Sequence, residues 1–268
     1  MASTPNRPGG LFESIEKDPN SKYCKIPLDY TVGLGKIYDP VEIEKKKSEP
    51  EFLREYRGHY LGKVGNLLLP SQIQTCIDLG KEYSIDKIPP SLYTLHSVGI
   101  DWGFGSSSAT AIVVLEHIKP ELMKDKIRVL ESYNIEKGDA NKIIELCWNI
   151  WKRFNYMNTY FYVDGSNRAA TNLLKIRWNE SLSWETKQSF GPNTKIRPIN
   201  FSTEHRNMLS NLHAMVSKGY LAIEEKHDKL LTSLRTAYAE ELNLKKEQTS
   251  YSDLLDALRL ALKGYNIE

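Results

Sequence analysis

VGIDWGFGSSSATAIVV, residues 98–114, runs from a short apolar strand through a glycine- and serine-rich turn into a second apolar strand. Asp101 closes the first strand. Gly103, Gly105 and the serines that follow let the backbone turn tightly and let a ligand approach closely. Metal or phosphate binding is one reading of such an acid; the start of a hairpin turn is the other. Three strand-like runs surround this point: TLHSVGI (94–100), ATAIVVLE (109–116) and IRVLESYN (127–134), each bounded by Gly, Lys or Pro signals. They are expected to form a meander.

Farther along, Asp139 is placed to cap a helix in which Ile143, Ile144, Leu146, Cys147, Ile150, Trp151 and Phe154 repeat at helical spacing. TYFYVD (159–164) then reads as a buried strand ending at an acid, followed by a helix over 167–178. After it come IRPINF (196–201), a helix near 203–218, the short strand YLAI (220–223), and helices near 227–240 and 251–264. The pattern implies a mixed α/β sheet flanked by helices. Residues 1–92 show little core pattern, with turn-rich Pro5, Pro8, Gly9 and Gly10 and a charged stretch, EIEKKKSEPEFLREY (42–56), that reads as a solvated helix. The Pro89–Pro90 doublet disfavours helix, which sets an expected boundary between a segment 1–92 and a main domain 93–268.

Asp164 repeats the placement of Asp101, closing a strand before Gly165 and a helix N-terminus. Two strand-end carboxylates on one parallel edge repel unless a cation lies between them; an N-cap role for Asp164 is the alternative. In TSYSDLLDALRLAL, Asp253 and Asp256 share a helix face while the leucines mark the apolar side, and Asp253 lies in the first turn, where the helix dipole favours an acid in any case. Three carboxylates can hold two Mg²⁺ or Mn²⁺ ions roughly 4 Å apart, one activating water and one stabilising a leaving oxygen. Histidines 59, 96, 117, 205, 213 and 227 are scattered and form no Ser/His/Asp or Cys/His order, so each reads as surface or structural.

The 36 basic and 34 acidic side chains leave a formal charge of +2, so any nucleic-acid surface has to be local. Three cysteines without a C-x-x-C pair argue against a disulfide framework and a zinc site, and suit a reducing compartment. No apolar run of signal-peptide or membrane-span length occurs, so the protein is expected to be soluble.

GIDWGFGSSSATAIVVLE (99–116), YFYVDGSNRAA (160–170) and YSDLLDALRLAL (251–262), in that order, resemble the C-terminal nuclease domain of the large subunit of viral genome-packaging terminases, which has the ribonuclease-H-like fold. The likeness runs over roughly 93–265 and includes NFSTEHRNMLSNLHAMVSKGYLAIEEKHDKLLTSLRTAY (200–238). It implies a ribonuclease-H-like mixed sheet, an antiparallel meander plus parallel strands flanked by helices. It also implies a metal-dependent endonuclease that cuts double-stranded DNA during packaging in the cytoplasm of the infected host cell. The implied catalytic metal ligands are Asp101, Asp164 and Asp253, with Asp256 a fourth metal-ligand candidate and two Mg²⁺ or Mn²⁺ ions as cofactors. The implied partners are DNA, the terminase small subunit and the portal. The third motif departs from the family: where a histidine-acid-acid pattern often opens it, this chain reads Tyr251-Ser252-Asp253.

STPNRPGGLFESIE (3–16) and FLREYRGHYLG (52–62) look like the segments that close the family's ATPase domain and lead out of it, yet no G-x-x-x-x-G-K-[ST] loop is present, the nearest being Gly33 to Lys36. The chain is therefore expected to be the end of a larger terminase or a gene reduced to its nuclease half, with no ATPase site. Between Gly165 and Lys218, Arg168, Lys175, Arg177, Lys187, Lys195, Arg197, Arg206 and Lys218 outnumber Glu180, Glu185 and Glu204, a surplus suited to backbone phosphates. Arg168, Lys175, Arg177 and Arg206 are the candidate DNA contacts; a solvated surface role is the alternative for Arg168. Trp178, Trp184 and Phe190 are candidates to flank DNA, core packing being the alternative for Trp178. Three rivals stand beside the nuclease. GIDWGFGSSSATAIVV also resembles the first phosphate loop of actin-like and sugar-kinase-like ATPases, although no glycine-rich second loop follows. A Holliday-junction resolvase would leave the first 90 residues without a role. A non-catalytic DNA-binding packaging module is the third.

Overall fold

The expected meander is present. The computed structural model describes residues 15, 20–24, 26, 28–47, 52, 56, 66–104, 109–118, 126–154, 157–182, 195–240 and 243–265. The segment 3–16 likened to the close of the ATPase domain (apart from Ile15), most of 52–62, Gly105 with the three serines, and Lys187, Trp184 and Phe190 lie outside these residues. The chain divides into two units, 1–69 and 70–268.

Within the first unit, helix α1 (Pro40–Lys46) is capped by Asp39, whose carboxylate accepts from the Val41 amide at 2.8 Å. It is shorter than the helix expected over 42–56, of which 48–51 and 53–55 are not described. Tyr30, Ile43 and Phe52 form a small buried cluster.

The second unit begins with helix α2 (Pro70–Glu82). Its central sheet carries β1 (His96–Asp101), β2 (Ala109–Ile118), β3 (Lys126–Glu136), β4 (Thr159–Asp164), β5 (Ile196–Ile199) and β6 (Leu221–Ala222), in the order β5-β4-β1-β2-β3-β6. The β1–β2 and β2–β3 pairs are antiparallel, whereas β4 joins β1, β5 joins β4 and β6 joins β3 in parallel. This mixed sheet is the ribonuclease-H-like arrangement.

Side chains alternate across a strand, and that alternation decides where the chemistry goes. Val98, Ile100, Phe161 and Val163 point to one face. There they pack on helices α3 (Ala140–Arg153) and α4 (Arg168–Ser181) with Ile143, Cys147, Trp151, Leu174 and Trp178. Trp151 and Trp178 pack against each other with ring centroids 4.0 Å apart and planes tilted by 40°, so Trp178 is core and not a DNA-flanking side chain. Ser97, Gly99 and Asp101 therefore point to the opposite face, where helix α7 (Ser252–Ala261) crosses. Ser97 donates its hydroxyl to the Ala261 carbonyl at 2.7 Å, and a Cβ on Gly99 would lie 1.9 Å from the Ala257 carbonyl oxygen. Only glycine allows α7 to lie this close to the strand. Helices α5 (Phe201–Ser217) and α6 (Asp228–Thr236) pack around α7, which explains why every residue from Leu254 to Ala261 is buried.

Two expectations need adjustment. The division falls at 69/70, well before Pro89–Pro90, because α2 belongs with the sheet. The Ile223 amide donates to the Cys76 carbonyl at 2.9 Å, and a Cβ on Gly80 would meet the Ile223 carbonyl oxygen at 2.2 Å. The diproline lies in a segment clamped to β2 and β3. Buried Arg128 donates to the Tyr83 and Ile88 carbonyls at 3.0 and 2.6 Å and to Glu116 at 2.8 Å, while Glu116 accepts from the Ser91 amide and the Thr94 hydroxyl. The helix expected over 227–240 ends at Thr236. A hairpin follows it, β7 (Ala239–Glu240) with β8 (Asn243–Leu244). Cys24, Cys76 and Cys147 are all free thiols.

Candidate metal centre

Parallel pairing of Ile100 with Val163 places the next residues, Asp101 and Asp164, side by side at the ends of β1 and β4. Both lie on the α7 side of the sheet and both are buried, at 7% and 8% exposure. From the helix, Asp253 reaches the start of β2, where its Oδ2 accepts from the Ala109 amide at 3.1 Å. Asp164 is oriented by its own turn, its Oδ1 accepting from the Ser166 amide at 2.9 Å and its Oδ2 from the Ser166 hydroxyl at 2.5 Å. It does not cap α4; Asn167 does, through the Ala170 amide.

Asp256, one turn beyond Asp253, is fully buried. Its Oδ1 accepts from Arg259 Nε at 2.8 Å and from Arg259 Nη2, and its Oδ2 lies 2.5 Å from Lys246 Nζ. Arg259 also reaches His205, with Nη1 3.1 Å from Nδ1, and lies over the Phe201 ring. The Leu244 amide donates to Nε2 of the same imidazole at 3.1 Å. A neutral imidazole accepts at one nitrogen only, so the two contacts compete. Burial, followed by the Arg259 guanidinium, holds His205 below the usual histidine range.

Lys246 follows the β7–β8 hairpin, and its ammonium stands 4.0 Å from Asp101 Oδ2. Asp101 nevertheless carries too much negative charge around it. Burial, then Asp256, Asp253 and Asp164, push its carboxyl up to about 8 against the opposing pull of Lys246. Hard carboxylate oxygens from three separate elements, meeting at one sheet end with uncompensated charge, fit a divalent cation such as Mg²⁺ or Mn²⁺. As the side chains stand, no group of three His, Cys, Asp or Glu among the described residues is arranged to hold an ion. Ser166, Ala109, Lys246 and Arg259 engage the oxygens instead.

Residues 98–264 match the terminase RNaseH-like domain family. The chain belongs to that family. Among solved structures, this terminase domain is similar to the large terminase nuclease from thermophilic phage G20c, at 14% identity over 76% of this chain and 100% of that one, with a TM-score of 0.52. It is also similar to the large terminase of another thermophilic bacteriophage, at 12% identity and TM-score 0.52, covering 85% of this chain and 52% of that one. In a different crystal form of that second phage protein the match extends to 97% of this chain at 13% identity and TM-score 0.50, and the terminase domain then spans 61% of it. At such identities the likeness is one of fold. No curated protein matches by sequence.

The candidate DNA contacts of the terminase domain separate in space. Arg168 is exposed at the first position of α4, four residues past Asp164, and Lys175 lies two turns along the same stripe. Arg206 is exposed on α5 beside His205. Arg177 is engaged elsewhere: it pairs with Glu145 at 3.0 Å and lies over the Trp148 ring. Lys195 and Arg197 are likewise drawn onto the Tyr160 ring, Lys195 buried and Arg197 at the surface, so part of the basic surplus is engaged within the fold. Sequence reading missed Lys246, Arg259 and His205. An arginine in an otherwise apolar helix, three residues past an acid, was the available signal for Arg259. Lys246 sits in a polar run with no such signal.

Proposed function

We propose that the terminase domain is an endonuclease that cuts double-stranded DNA by divalent-metal-dependent phosphodiester hydrolysis, with Asp101, Asp164 and Asp253 as its ligands for Mg²⁺ or Mn²⁺. The observation that carries this reading is the meeting of these three acids, from β1, β4 and α7, at one end of a ribonuclease-H-like sheet. A divalent ion bound there supplies a water of lowered pKa and an electrostatic partner for charge developing on the phosphate. The protein's own part is orientation. Ser166 and the Ala109 amide fix the carboxylates of Asp164 and Asp253, and Asp101, whose carboxyl both of them burden with negative charge, would complete the set that holds the ion. Arg168 and Lys175 lie on the flank where a DNA backbone would pass, and backbone contacts alone give weak sequence preference. The small subunit and portal as partners, and the host cytoplasm as the place of action, belong to the same reading. The actin-like alternative is not retained, because the family match covers the residues that suggested it. No helix among the described residues is long and apolar enough to cross a membrane.

Supercoiled plasmid incubated with Mn²⁺ should be nicked and linearised, EDTA should stop the reaction, and Asp164→Asn should slow it by about 10²-fold or more. Cutting that persists in EDTA or survives the substitution would refute the assignment.

A further inference from the structure

Among the described residues, Lys246 is the cation set beside the acids that neither the fold nor the hydrolytic reading accounts for. Its position is built. The Lys245 amide donates to the Tyr238 carbonyl at 2.8 Å, the Gln248 amide to the Lys245 carbonyl at 3.1 Å, and the Thr249 hydroxyl to that same carbonyl at 3.0 Å. The turn is thereby fixed while the lysine stem stays half exposed at 53%. The ammonium tip contacts Asp256 Oδ2 at 2.5 Å and stands off Asp101 Oδ2 at 4.0 Å.

Asp256 keeps its Oδ1 on Arg259, which is itself fully buried, and turns its Oδ2 to Lys246, so a metal reaching that oxygen would have to displace the ammonium. A buried guanidinium left without its anion is strongly disfavoured. The fourth carboxylate is thus spent on two side-chain cations. Four ionised carboxylates bring four negative charges, Arg259 and Lys246 neutralise two, and a single divalent ion neutralises the remainder. A second ion would leave the centre with excess positive charge before any phosphate arrives.

We propose that Lys246 is a built-in cation of this metal centre, holding the Asp256 side so that the DNA-free protein takes up one divalent ion and not two. The proposal rests on the nuclease reading above and deepens it. Lysine suits the role because its ammonium is a compact point charge on a reaching stem.

The test is a count of bound Mn²⁺ in DNA-free protein, by calorimetry and by the electron paramagnetic resonance of the free ion, for the wild type and Lys246→Met. The wild type should bind one ion. Lys246→Met, which keeps the stem and removes the charge, should bind a second, or bind it at least about tenfold more tightly, since the positive charge beside Asp101 and Asp256 has been lifted. Thermal midpoints in EDTA verify that the variant is folded, and Lys246→Gln serves if the methionine is not tolerated. Two ions of similar affinity in the wild type, or a variant that binds as the wild type does, would overturn the proposal and leave the nuclease reading standing. No ion in any of the proteins would overturn both.

Discussion

Asp101→Asn should abolish metal-dependent cleavage, by about 10³-fold or more, and in the same molecule raise the thermal midpoint of the metal-free protein at pH 8. Both effects come from one carboxylate with too few cations near it. In the folded chain, burial and the neighbouring Asp256, Asp253 and Asp164 push its carboxyl up to about 8, against an ordinary value of 3.8. A raised carboxyl binds its proton more tightly in the folded state. Its contribution to stability is complete below the unfolded value and is lost as pH rises from about 4 through about 8. Asparagine carries no charge to desolvate. The variant should therefore melt higher than the wild type at pH 8, by a margin on the order of 5 °C, and the margin should shrink toward pH 5. Comparing the two proteins at each pH matters, because His96, His205, His213 and His227 are all held below the histidine range and weaken the fold of both as pH falls. Saturating Mn²⁺ should reverse the order by stabilising only the wild type. A variant that is less stable than the wild type in EDTA at pH 8 would contradict the electrostatic account of the site.

Asp256→Ala should be the most damaging single change to the fold, costing about 3–5 kcal/mol in denaturant unfolding. Asp256 and Arg259 are both fully buried and bonded to each other, and removing the acid strands a guanidinium whose remaining partners are His205 and the face of Phe201. Adding Arg259→Met should recover much of the loss, because the stranded charge leaves and apolar volume replaces it. A loss near 1 kcal/mol or less, or no recovery in the double variant, would mean that the pair is not the electrostatic pivot of α7.

The strands and most helices were legible because their apolar periods are long and their ends carry chemical punctuation. Asp139 caps α3 as its spacing foretold, and TYFYVD is β4 to the residue. The pairing of Asp101 with Asp164 followed from two strands ending in acids. What resisted reading depends on tertiary proximity. The α2 helix shows only four buried residues within a polar sequence, so its membership in the second unit emerges from tertiary contacts such as those with Ile223 and Ser217. Strands β7 and β8 have two residues each, too short for any period to register. Lys246 lies next to that hairpin, and its arrival at the acids is a consequence of the turn. Asp256 read as a fourth ligand because it shares a helix face with Asp253, but sequence could not show that Arg259 and Lys246 would engage it.

The central claim is that Asp101, Asp164 and Asp253 hold the catalytic cation. Anomalous diffraction at the manganese edge, from crystals grown with Mn²⁺, addresses it most directly. The account predicts a manganese peak with carboxylate oxygens of Asp101 and at least one of Asp164 and Asp253 at about 2.0–2.3 Å. A peak elsewhere on the chain, with these three acids still bonded only to Ser166, Ala109 and Lys246, would contradict it.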